Sequence, residues 1–108
     1  MQFMKTDDLL KRYAVGERDF SKADLQGADL SYLDLSFIDF SHANLTQANL
    51  SSTSLHAANL SHANLTGAIL SNTELSRVNL AGANLDGVVI DWVVLTETIV
   101  PDGIIEYW

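Results

Sequence analysis

Three histidines and two serines set most of the chemical possibilities of this sequence. His42 and His62 lie twenty residues apart, and Ser36, His56 and Ser76 keep the same interval. Two imidazoles brought together can hold a transition metal, but a stable site wants three or four ligands with supporting hydrogen bonds. A serine beside a histidine can be a nucleophile with its base, yet acyl transfer also needs an orienting group, an oxyanion site and a pocket. Nothing in the pattern supplies these, so His42 and His62 read as a solvated pair, and no catalytic, cofactor-binding or metal-ligating residue is assigned. Five carboxylates, Asp19, Asp24, Asp29, Asp34 and Asp39, recur at intervals of five. They read as a solvated acidic collar, with some carboxylates near turn amides.

The elements that position these residues follow from the same interval. Every fifth residue is large and apolar: Phe20, Leu25, Leu30, Leu35, Phe40, Leu45, Leu50, Leu55, Leu60, Leu65, Leu70, Leu75, Leu80, Leu85, Ile90, Leu95 and Val100. Two places earlier stands a small residue, most often alanine, with Leu33 and Ile38 as bulky exceptions. Between them is a polar residue, aspartate in the first five words and mostly asparagine afterwards. Neither a helix of period 3.6 nor a strand of period 2 keeps such a series on one face. Small-polar-large is, however, a short in-out-in piece of strand, and the two residues that follow, often Ser or Thr and then a variable one, are corner chemistry. A chain that repeats a short side and a corner winds into a solenoid with Leu and Ala toward its axis.

A second interval of twenty points to four sides per coil. Thr53 and Thr73, Phe20 and Phe40, and Ala23, Ala43, Ala63 and Ala83 recur at that spacing. The column Gly27, Gln47, Gly67 and Gly87 suggests a corner with positive φ at the third residue of a type II turn.

The words "ADLQG", "ANLTQ", "ANLSS" and "ANLTG" resemble the pentapeptide repeat family, whose consensus is A(D/N)LXX, from about Asp19 to Val100. The resemblance implies an all-β solenoid, a right-handed quadrilateral β-helix of about four coils. Residues 1–16 are read as an N-terminal α-helical cap, 17–100 as the β-helix and 101–108 as a C-terminal capping tail. Within the cap, residues 6 to 15 read as a helix with Thr6 as N-cap, Asp7 and Asp8 in the first turn, and Gly16 past the end.

The C-terminal words lose their polar outer residue. Ile69, Val89, Val94 and Ile99 stand where Asp or Asn is expected, and Trp92 occupies a corner. With Trp108 they form the candidate interface, covered either by the tail or by a second chain in a homodimer joined through this end.

Composition narrows the partners. A net charge of −8 with only six Lys and Arg argues against direct contact with nucleic acid or an anionic membrane. The absence of cysteine leaves the redox compartment open. The charged N-terminus lacks the apolar stretch of a signal peptide and no apolar run approaches about 18 residues, so a cytoplasmic location is expected. The reading that results is a non-enzymatic scaffold or protein-interaction module without cofactors. The resemblance supplies an alternative, because some members imitate duplex DNA and bind DNA gyrase. Residues 17–100 carry ten acids and three bases, a net of −7. A duplex segment of about 20 Å carries about twelve charges.

Overall fold

The computed structural model describes residues 3–102. A single helix, α1, spans Thr6–Ala14. From Asp19 onward the chain bends at a corner after every five residues, and each side offers one bridging residue to its neighbours. Those bridges are all parallel and join residues twenty apart: Asp19 with Asp39, Asp24 with Asn44, and so on to Asn79 with Ile99. Four five-residue words therefore make one turn of the solenoid, and residues twenty apart stack. No continuous strand forms among the described residues, because the corner arrives before a second consecutive residue can bridge.

Each rung is joined to the next by a fixed set of backbone bonds. From Phe20 to Leu80 the amide of each central residue donates to the carbonyl nineteen positions on, as in Leu45 N–H to Asn64 O at 2.8 Å and Leu60 N–H to Asn79 O at 2.8 Å. The amide of the outer polar residue bonds in the opposite direction, as in Asn64 N–H to Ala43 O at 2.9 Å.

Corners follow one rule on all four edges. The residue two places after each central Leu or Phe has positive φ, from Lys22 at 63° to Glu97 at 57°, and the turn is closed by a bond such as Ala48 N–H to Leu45 O at 3.0 Å. This is type II geometry. The sequence placed it at the glycine column alone, yet twelve residues other than glycine also adopt it at the corners. None is β-branched and none is proline. A Cβ in the left-handed region costs about 1–2 kcal/mol, more with branching. The corner amide's own bond to the next rung, as in Gln47 N–H to Thr66 O at 2.8 Å, offsets that cost.

The inward residues fill the core. Phe20 through Leu85 are buried at every fifth position, and the alanines two places before pack beside them. Ile90 and Leu95, expected in this core, are only half-buried and pack against its edge. Thr53 and Thr73, buried in the small-residue column, each donate a hydroxyl to a carbonyl of the preceding turn, Leu30 O and Leu50 O. Their twenty-residue spacing thus reflects a satisfied internal polar stack.

At the N-terminal end α1 lies over the first turn. Leu9 is fully buried against it, and Tyr13 donates its hydroxyl to Ser36 O at 2.8 Å. Lys5, not Thr6, is the N-cap, and it makes no side-chain capping bond. Thr6 is the first helical residue, and its hydroxyl is engaged by Asp29 O at 3.2 Å, where the first turn has a carbonyl without a rung below it. The helix ends at Ala14 in a Schellman motif: Glu17 N–H bonds Arg12 O, Gly16 N–H bonds Tyr13 O, and Gly16 has φ 98°. Before the helix, Phe3 bridges Asp24 and Met4 N–H donates to Asp24 O at 2.7 Å, a partial rung that the repeat pattern did not announce.

The shared corner geometry yields a test. Gly67→Val places a branched side chain at φ 70° with its Cβ 3.3 Å from Gln47 Cγ, and Ser52→Val does the same to a corner at φ 56°. Gly67→Val is expected to lower stability in urea by about 1–2 kcal/mol, and Ser52→Val, whose corner already carries a Cβ, by a smaller amount from branching alone. Loss at Gly67 alone would show that only the glycine edge is constrained.

Candidate functional site

The outward residues divide into those that hold the fold and those left for contact. In most words the side chain of the outer Asp or Asn turns back along its own chain. Its Oδ1 accepts the amide two residues on, and often the hydroxyl of the same residue: Asp19 with Ser21 at 3.0 and 2.6 Å, and Asn59 with Ser61 at 2.9 and 2.6 Å. The Asx-Leu-Ser/Thr sequence is therefore a local clamp at the corner entrance. Aspartate and asparagine make it equally, since Oδ1 does the accepting. The second atom, a carboxylate oxygen in the collar and an amide nitrogen higher up, is what the surface presents.

The clamp also shifts acidity. The Ser21 hydroxyl, then its amide, hold the Asp19 carboxyl below its ordinary value of 3.8. Ser31 does this for Asp29, and Ser36 for Asp34.

Ser36, His56 and Ser76 share a corner as the spacing foresaw, but in an arrangement unlike a nucleophile and its base. Ser76 donates its hydroxyl to Glu74 Oε1 at 2.8 Å, and His56 Nδ1 lies 2.8 Å from the same oxygen of Ser76. The serine sits between acid and imidazole, its proton directed to the carboxylate, and Phe37 packs edge-on against the His56 ring at 5.6 Å. Ser36 bonds Ser54 instead, at 3.2 Å. The group ties two rungs together. Glu74 was missed in the sequence, although its place two residues before a serine, where Asx usually stands, was the available signal.

His42 and His62 stack as expected, with ring centroids 4.9 Å apart and planes 15° from parallel. The stretch of chain that carries them has no formal charge: between Phe40 and Thr73 there is no Asp, Glu, Lys or Arg. The acidic residues are thus split between the two ends of the solenoid, and the middle turns present amides, hydroxyls and imidazoles.

The apolar candidates lie around the last turn. Ile69 is half-buried and bridges Val89, which is 51% exposed; Val94 and Ile99 occupy the next two sides, and Trp92 stands at the corner between Val89 and Val94, 83% exposed. They form a belt round three successive sides of this end. Trp108 lies outside the described residues. Two exposed aromatics at corners of the first full turn, Tyr32 and Phe37, were not singled out in the sequence; the outward direction of every left-handed corner was the signal. No group of three or more metal-ligating side chains occurs among the described residues, and no helix among them is long and apolar enough to cross a membrane.

Comparison with known proteins adds a family and a fold. The family model described as pentapeptide repeats matches over residues 19–56, 34–72 and 58–96, with eight copies. The crystal structure of alr5209, a pentapeptide repeat protein from Nostoc PCC 7120, is similar at 30% identity and a TM-score of 0.55, covering 98% of this chain and 95% of that one. Rfr23, a pentapeptide repeat protein from Cyanothece 51142, is 29% identical over 91% of this chain and 77% of its own, with a TM-score of 0.42. HetL, a pentapeptide repeat protein of Nostoc sp. strain PCC 7120 involved in heterocyst differentiation regulation, is 33% identical with a TM-score of 0.30; the match covers 79% of this chain and half of HetL. No curated protein matches the sequence.

The clamped carboxylates set a pH dependence. Their acidities are lowered in the folded chain, so the stability they contribute is full above about pH 4 and is lost as pH falls through the lowered values. Asp29→Asn keeps an Oδ1 acceptor and removes a titrating group. Its urea midpoint is therefore expected to fall less steeply than the wild type's between pH 4 and pH 2.

Proposed function

The chain belongs to the pentapeptide repeat family, and from that membership we propose that it is a right-handed quadrilateral β-helix of about four coils, serving as a non-enzymatic, rigid protein-interaction module. In this reading residues 1–16 are the cap and 17–100 the column; most of the tail assigned to 101–108 lies outside the described residues. The observation that carries this reading is the contrast between a polar, self-clamped column and one apolar end. Val89, Val94 and Ile99 take the positions where Asp or Asn would clamp the corner, and Trp92 adds a large exposed ring beside them. Replacing clamping residues by exposed apolar ones gives up local hydrogen bonds and is favourable only where the surface is covered.

The occupant proposed for this end is a second copy of the chain, joined about a twofold axis. The last turn offers a self-matching mixture of apolar side chains and backbone edge, as an isologous contact requires. Imitation of duplex DNA has weaker support. A duplex carries its charge evenly, at about one per 1.7 Å, whereas this column is uncharged from Phe40 to Thr73. The Glu74, Ser76 and His56 group favours a structural role, with its serine proton bonded to a carboxylate and the serine itself among the buried residues.

Light scattering on the full chain tests the proposal. The wild type is expected to show twice the 11.8 kDa chain mass, and Trp92→Ser the single-chain mass with an unchanged circular dichroism spectrum. A single-chain mass for both proteins would overturn the homodimer.

A further inference from the structure

The side chains of His42 and His62 take no part in the apolar end or in the corner clamps, and they lie together on one edge of the column. Both residues hold nearly the same left-handed backbone, φ 59° and 58°, so equivalent scaffolds launch the two side chains in one direction from consecutive rungs. Those scaffolds are pinned: His42 N–H donates to Ser61 O at 3.0 Å and His62 N–H to Ala81 O at 2.9 Å. The rings arrive parallel, 4.9 Å apart. His56 is held by Ser76, whereas no hydrogen bond or ion pair among the described residues engages either ring of the stacked pair.

The next position in the same column is Gly82. A Cβ there would lie 2.5 Å from His62 Nδ1 and 2.6 Å from its Cε1, so the absence of a side chain is what lets the His62 ring lean along the column. On the other side of the pair stands Lys22, a cation one rung away. With no carboxylate in the uncharged middle turns, nothing there forms an ion pair with the imidazoles.

We propose that His42 and His62 form a two-imidazole site for a divalent transition ion, with Cu2+ preferred and water completing the coordination. Imidazole nitrogen is a favoured donor for copper, nickel and zinc, and copper binds most strongly in the divalent series. Bond lengths of about 2.0–2.1 Å require the two nitrogens to approach within about 4 Å of each other. The rings now face each other at 4.9 Å, and coordination turns both out of the stack about their side-chain bonds, so that one nitrogen of each converges on the ion while the rungs stay fixed. The pair is a ligand set because the twenty-residue register stacks it, and any shift of register would separate the two rings.

Copper titration of the full-length chain at pH 7.5 tests the site, with binding followed by calorimetry and the ligand set by electron paramagnetic resonance. One Cu2+ per chain with two nitrogen donors is expected. His42→Ala and His62→Ala should each weaken binding at least tenfold, and His56→Ala should leave it unchanged, all three with the wild-type circular dichroism spectrum. Binding that survives either of the first two substitutions, as capture by the chain's amino terminus would, overturns the proposal. So does equal loss in His56→Ala or a signal from one nitrogen.

Discussion

The structure depends on a corner that returns every five residues with the same backbone. Positive φ at the second corner residue turns the chain, and the amide of that residue then bonds the rung above. A side of five residues and a coil of twenty follow from this, as does the stacking of equivalent side chains. A left-handed corner costs about 1–2 kcal/mol when occupied by a residue with a Cβ, and a lone corner of this kind would be strained. Here each is held by a turn bond, a rung bond and, in most words, the Asx clamp at its entrance. The repeat makes a locally unfavourable conformation collectively stable, in the manner of other repeat architectures whose units are stabilised by their neighbours.

The ends are therefore where the pattern must change. At the N-terminal end carbonyls of the first turn face away from the column, and they are met by Thr6, Tyr13 and the amide of Met4, with Leu9 closing the core. At the other end the central residues are half-buried and the outward ones apolar. The same surface logic distributes charge. The clamp accepts either aspartate or asparagine, so the choice between them is free to set the exposed chemistry, acidic beside the helix and neutral through the middle turns.

The column was legible in the sequence because its signals are local and repeated: Leu at every fifth place, Ala two before, and Ser or Thr at the corner. The twenty-residue coil was legible through weaker coincidences such as Thr53 and Thr73, which turn out to bond carbonyls of the turn before. Contacts that depend on one reach or one rotamer were not legible. Thr6 looks like an N-cap until the first turn's carbonyl claims its hydroxyl, and Phe3 belongs to no repeat word yet bridges Asp24. The Glu74, Ser76 and His56 group escaped for the same reason, since a glutamate in an Asx position gains its meaning from the rung below. Positive φ was expected only where glycine advertised it, although the absence of branched residues along the other three edges carried the same message.

A ladder of rungs in twenty-residue register forms one cooperative column that weakens toward its last turn. Native-state hydrogen exchange reads this directly, amide by amide. The amides of Leu45, Leu50, Leu55 and Leu60, each bonded to the following rung, are expected to exchange slowest and with a common free energy of opening. Those of Ile90 and Leu95 are expected to exchange earlier. Equal exchange at Leu50 and Ile90, or independent opening of neighbouring middle rungs, would contradict a cooperative column.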